Sequence, residues 1–66
     1  MESLDDLADQ VAEIERRVGD AIFEAVRDQL RGDDVAARER ERQLSRVRRS
    51  LAKAESLLRA TDRDED

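Results

Sequence analysis

Five basic residues recur at helical spacing in the second half of the chain, and they could bind phosphate groups. Regularly spaced cations on one helix face follow a nucleic-acid backbone and neutralise its charge. The same pattern also fits a solvated helix face, or pairing with acidic residues of a neighbouring chain. A net charge of −5 and a single aromatic residue favour these other two interpretations. This basic stripe consists of Arg38, Arg42, Arg46, Arg49 and Lys53.

Metal or acid–base chemistry would depend on carboxylates, because the chain contains neither cysteine nor histidine. That absence removes thiolate nucleophiles, histidine bases and most zinc sites. Asp33 and Asp34 are adjacent, but two carboxylates without further oxygen ligands bind a divalent ion weakly. Both residues suit the cap of a helix N-terminus better. We therefore predict no catalytic residues, no metal, no cofactor and no enzymatic activity.

The length of 66 residues allows one small domain, in the size range where a single core is marginal. Charged residues make up 47% of the chain, yet the apolar residues are strictly periodic, which argues against disorder. We see neither an apolar run of membrane-spanning length nor a signal peptide, so we expect a cytoplasmic protein and no membrane partner. The preference for Arg over Lys fits a GC-rich genome or a high-salt cytoplasm, and the modest net charge favours the former.

The helical pattern breaks once, at Gly32. Glycine commonly follows a helix end, because it accepts a left-handed backbone without a steric penalty. Asp33 and Asp34 would then cap a second helix through its free backbone N–H groups. Such a short connection is typical of an antiparallel helical hairpin.

The first helix has its own start signal in Ser3 and Asp6, which match a capping box. We predict a first helix over about 4–31, a turn at 32–34 and a second helix over about 35–60. Together they form one helical-hairpin domain over 1–60. The segment 61–66 lacks periodicity and is predicted to be a disordered acidic tail.

Two apolar rows, one in each helix, share a single antiparallel register. Val18 pairs with Val47 and Ile14 pairs with Leu51, and in every such pair the residue numbers total 65. The fold class predicted is therefore all-α, an antiparallel two-helix hairpin of the coiled-coil type. The predicted hairpin core contains Leu7, Val11, Ile14, Val18, Leu44, Val47, Leu51 and Leu58.

Charge supports the pairing of the two helices. The segment 2–31 has nine acidic and four basic residues, whereas 35–60 has eight basic and three acidic residues. An acidic helix beside a basic one gains from many weak pairs, each worth about 0.2–1 kcal/mol. Pairing of like helices is disfavoured by the same charges.

One hairpin is not expected to be enough for a stable fold. The apolar arc of the first helix covers about half its circumference, which one neighbouring helix cannot cover, and a single small core rarely suffices. We therefore predict a homodimer that forms a four-helix bundle. Gly19 is expected to permit a close backbone approach on the row with Ala8 and Ala12; the alternative is a tolerated surface glycine. The predicted dimer interface contains Ala8, Ala12, Phe23, Val26 and Leu57.

No stretch of the sequence carries a motif specific enough to assign a family, a partner or a pathway. The leading functional hypothesis is a non-enzymatic interaction or regulatory module that acts as a homo-oligomer, with a further protein as an expected partner. The alternative is a nucleic-acid-binding regulator that uses the basic stripe.

Overall fold

The computed structural model describes residues 2–32 and 35–64, which form two α-helices packed side by side in opposite directions. Helix α1 spans Leu4–Arg31 and helix α2 spans Val35–Asp64. The molecule is 53 Å long and 16 × 13 Å across. The predicted all-α helical hairpin is confirmed.

Helix α1 begins at a capping box. The Ser3 Oγ accepts a hydrogen bond from the backbone N–H of Asp6 at 3.0 Å. In return the backbone N–H of Ser3 donates to the Asp6 carboxylate at 3.4 Å. The capping box thereby satisfies two backbone N–H groups at the start of the helix, and the negative charges of Asp5 and Asp6 interact favourably with the positive end of the helix dipole.

Helix α1 ends at Gly32, but in a different backbone conformation from the one expected. The Gly32 N–H donates to the carbonyl of Gln29 at 3.3 Å, so the last turn tightens. The φ of Gly32 is 176°, which is extended rather than left-handed. The expectation of a left-handed Gly32 is therefore wrong. Asp33 and Asp34, expected to cap α2, lie outside the described residues.

Helix α2 continues beyond its predicted end near Ala60 and reaches Asp64. Neither proline nor glycine follows Ala60 to break the helix, and the Thr61 hydroxyl donates to the carbonyl of Leu57 at 2.8 Å. The predicted start of a disordered tail at Thr61 therefore does not match the structure. The rest of that predicted tail, residues 65 and 66, lies outside the described residues.

The two helices meet along a seam in which alanine is the only fully buried residue type among the described residues. Ala8, Ala25 and Ala37 are each at most 1% exposed, and no large side chain is fully buried. Small side chains let helix axes approach closely. Buried and half-buried residues follow one another at spacings of three and four, except at exposed Arg48: Leu4, Ala8, Val11, Glu15, Val18, Ile22, Ala25 and Gln29 in α1, and Ala37, Glu41, Leu44, Leu51, Glu55 and Leu58 in α2.

This seam is rotated relative to the predicted core. Leu7, Ile14 and Val47 were predicted to be core residues, but they are 37%, 45% and 45% exposed. Conversely, Ala8 was predicted to lie at an outer interface and is completely buried within the hairpin. The helices turn their small side chains toward each other, which leaves the larger ones along the edge. The remaining predicted core residues, Val11, Val18, Leu44, Leu51 and Leu58, are half-buried.

Candidate interaction surface

An apolar face runs along one side of the seam. Residues seven apart lie nearly above one another on a helix, so Leu7 and Ile14 share a row with Asp28, and Val47 shares a row with Arg40. Arg40 and Asp28 form an ion pair at 3.6 Å, which places both rows on the same side. We call this surface the apolar face; its residues are Leu7, Ile14, Ala21, Val47, Ala54 and Leu57.

The apolar face is open to solvent in the single chain. Leu57 at its border is 58% exposed, more than Leu7, Ile14 or Val47. A shallow groove on α2 adjoins it, lined by Gln43, Arg46, Val47, Ser50 and Leu51. This side of the hairpin therefore offers both protruding aliphatic side chains and a recess beside them.

The opposite side of the seam is polar and held by Arg59. Its guanidinium lies 3.1 Å from Asp5, 2.9 Å from Asp9 and 2.9 Å from Glu55. The hydrogen bond with Asp9, followed by that with Glu55, raises the pKa of Arg59 above its usual value. The opposite net charges of the two helices predicted attraction between α1 and α2. They did not predict that Arg59 alone would pair with three carboxylates.

Two glutamates face each other across the seam beside this cluster. The hydrogen bond with Glu55, together with burial, raises the pKa of Glu15 above 4.5. The same bond, followed by that with Arg59, lowers the pKa of Glu55. The Oε1 of Glu15 is buried and accepts no hydrogen bond. A buried oxygen without a partner disfavours the charged form of Glu15, and the protonated carboxyl group can donate to the Glu55 carboxylate. Apolar spacing alone did not predict this pair, although Glu15 stands between Val11 and Val18 at helical spacing.

Gly19 is half-buried beneath the side chain of Arg48. The nearest atom to a Cβ at Gly19 would be the guanidinium carbon of Arg48, at 3.7 Å, which is ordinary van der Waals contact. A side chain, rather than the expected second backbone, therefore covers this glycine.

The predicted dimer-interface residues do not form one surface. Ala8 lies in the seam and Ala12 is half-buried, while Leu57 borders the apolar face. Phe23 and Val26 are 64% and 36% exposed. By helical spacing they share the Arg59 side of α1 with Leu30, close to the turn. We call Phe23, Val26 and Leu30 the turn-end patch.

The basic stripe occupies the outer surface of α2, and all five of its residues are exposed. Arg42 pairs with Glu39 at 3.6 Å within the same helix. In the part of the chain that the structure describes, Arg46, Arg49 and Lys53 form no ion pair. Their spacings of three and four residues place these five side chains on one exposed face of α2.

Within the described ranges, neither helix contains a segment long and apolar enough to cross a bilayer. Across residues 2–32 and 35–64, no three potential metal-ligating side chains cluster. Comparison of the chain with protein-family models, curated protein sequences and solved structures finds no match.

Proposed function

We propose that this chain is a non-enzymatic helical-hairpin interaction module that acts as a homodimer, with two hairpins joined through their apolar faces into a four-helix bundle. The observation that carries the proposal is the exposure of the apolar face beside a seam that fully buries only alanine. A hairpin of this composition gains most from covering that face with another hairpin.

The surface area of the chain supports association. A monomeric globular protein of 7.6 kDa is expected to expose about 4,300 Å². This chain exposes 5215 Å². The excess of roughly 900 Å² is close to the ~800 Å² that each partner buries in a standard protein interface. One interface of ordinary size would therefore bring the surface of each chain to that of a globular protein.

The charged groups support a non-enzymatic role, because the clustered ones have structural partners. Asp6 caps α1. Arg59 binds three carboxylates at its flank of the seam, and Glu15 is paired with Glu55. We assign these groups to holding the hairpin together.

Sedimentation equilibrium at micromolar concentration tests the dimer, together with thermal unfolding at several protein concentrations. The Tm should rise with concentration, because association stabilises the folded state by mass action. Ile14→Ser and Val47→Ser, on the apolar face, should each raise the dimer Kd by about tenfold or more. Phe23→Ser is the matched control, since it removes a large exposed side chain from the other flank.

A fully helical monomer with a concentration-independent Tm would overturn the proposal. A dimer that is dissociated by Phe23→Ser, but not by the two apolar-face variants, would place the interface at the turn-end patch instead.

The second candidate is a nucleic-acid-binding regulator that uses the basic stripe. The observation in its favour is that five cations occupy one exposed surface of α2. Binding would be strongly salt-dependent, because each neutralised phosphate releases counterions. Direct titration with RNA and DNA separates this candidate from the first.

A further inference from the structure

We propose that the two hairpins associate about a two-fold axis parallel to their helices, so that α1 of one chain lies beside α2 of its partner. This inference rests on the homodimer proposed above and specifies how the two copies meet. Its main consequence is that both turns lie at the same end of the bundle, with the two turn-end patches on opposite outer sides of that end.

The contacts within the hairpin establish which residues lie at the same level along its axis. Gly19 lies under Arg48, and the pairs Asp5–Arg59 and Asp28–Arg40 stand near the two ends. The contacts across the seam join residues whose numbers total between 64 and 70. Residues whose numbers total 66 therefore stand at about the same level, and this range contains the predicted total of 65.

Charged rows border the apolar face on its two outer edges. Each row stands one position before the face residues of its own helix, and successive members are seven residues apart. Glu13 and Asp20 are well exposed, and each also contacts Arg16 within α1. In order of level the rows read Asp6, Glu13, Asp20 and Arg27 in α1, and Ala60, Lys53, Arg46 and Glu39 in α2.

A two-fold axis parallel to the helices preserves the level of every residue. Glu13 would then face the partner's Lys53, Asp20 would face the partner's Arg46, and Arg27 would face the partner's Glu39. The two rows thus change sign at the same level. Opposite charges meet at three of the four positions, and Asp6 stands opposite the uncharged Ala60. Electrostatic complementarity of this kind selects between alternative docking arrangements.

A two-fold axis perpendicular to the helices gives the opposite result. It sets α1 against α1 of the partner in opposite directions, so that Glu13 faces the partner's Asp20. It also sets Arg46 against the partner's Lys53. Asp6 would face the partner's Arg27, which is one attractive contact, but the two kinds of like-charge contact outnumber it and penalise this arrangement.

A distance between spin labels tests the orientation. The chain has no cysteine, so Gly32→Cys provides a single attachment site, and no atom lies within 4 Å of its Cβ position. The parallel axis predicts a label separation below about 25 Å, since neighbouring helix axes lie ~8–10 Å apart. The perpendicular axis predicts about 40 Å, the length of the 28-residue α1 at ~1.5 Å per residue. A spin label on Ala60→Cys, at the other end of the hairpin, should distinguish the same two axes by its separation, since Ala60 is exposed.

Charge reversal provides an independent test. Glu13→Lys with Asp20→Lys should raise the dimer Kd by about tenfold or more at low salt, and so should Arg46→Glu with Lys53→Glu. Combining all four changes in one chain should restore the affinity. Arg42→Glu with Arg49→Glu is the charge-matched control, because these side chains point away from the interface.

The outcomes distinguish the two proposals. A dimer with a separation near 40 Å, or without rescue in the fourfold variant, would overturn the parallel axis and leave the dimer standing. A wild-type chain that is monomeric would overturn the dimer itself.

Discussion

The guanidinium of Arg59 lies 2.9 Å from the carboxylate of Asp9, although fifty residues separate them in the sequence. With Asp5 on the preceding turn, this pair ties the beginning of α1 to the end of α2. It stands on the flank opposite the apolar face. It thereby favours the rotation of the helices that leaves Leu7 and Ile14 at the surface.

Arg59→Gln should lower the Tm of the hairpin, because it removes the positive partner of three carboxylates at once. Arg16→Gln is the control, since Arg16 pairs with Glu13 and Asp20 inside one helix and its side chain is 62% exposed. Thermal unfolding followed by circular dichroism should show a clearly larger loss for Arg59→Gln. Equal losses would mean that the Arg59 cluster does not hold the helices together.

Stability should respond to pH through Glu15. Its pKa is raised in the folded state by Glu55, so the folded chain binds the Glu15 proton more tightly than the unfolded chain does. The stabilisation of the folded state by Glu15 is therefore fully present below pH 4.5, the ordinary pKa of a glutamate. It is lost as the pH rises through the raised pKa of the folded state. Arg48 and Arg59 oppose the shift without reversing it. Glu15→Gln should raise the Tm at neutral pH, because the amide donates a hydrogen bond without carrying charge.

Glu13→Gln is the matched control for that experiment. Arg16 lowers the pKa of Glu13. The stabilisation of the folded state by Glu13 is therefore present above pH 4.5 and is lost as the pH falls through the lowered pKa. The two substitutions should therefore change the Tm at neutral pH in opposite directions. The same sign of change for both would refute the assignment of a shared proton to Glu15 and Glu55.

Gly19→Ala should stabilise the hairpin. Alanine is favoured over glycine inside a helix by about 1 kcal/mol, and the new Cβ would only touch the Arg48 guanidinium at ordinary contact distance. The Tm should rise by about 4–8 °C for a domain of this size. A decrease would show that the chain needs a glycine here for closer approach of α2. Gly32→Ala should be tolerated, since the extended Gly32 backbone suits any residue.

Titration with RNA and DNA should separate the two candidate functions of the basic stripe. If four of its residues bound phosphates, log K would fall with log salt at a slope of about −3, and Arg42→Gln with Arg46→Gln would flatten that slope by about two. The homodimer proposal expects no binding at about 0.15 M salt. It expects the same double substitution to weaken the dimer through Arg46. Micromolar binding that the double variant abolishes would support the nucleic-acid regulator.

The hairpin could be predicted from sequence because local signals and long-range periodicity agree. Ser3 and Asp6 mark the start of α1, and the charges of the two helices complement each other. The end of α2 was less predictable, because no residue after Ala60 marks a stop and Thr61 continues the helical bonding.

The rotation of the seam could not be predicted in the same way. The apolar arc of α1 is wide enough for either of its edges to pack against α2. The spacing of the apolar residues does not indicate which edge does so. The structure favours the edge with Ala8, because alanine allows closer approach and because Arg59 can then reach Asp5 and Asp9. These are specific side-chain contacts that a pattern of apolar spacing does not encode.

If the proposed dimer forms, the small buried core of Ala8, Ala25 and Ala37 links the lifetime of this protein to its abundance. On the proposed dimer, the folded population depends on the concentration of the chain itself, as in other obligate dimers. Below the dimer Kd the helices would separate, and their backbone would become a substrate for cellular proteases. Degradation would then remove single chains quickly and spare assembled ones, so that the lifetime of the protein would rise with its concentration.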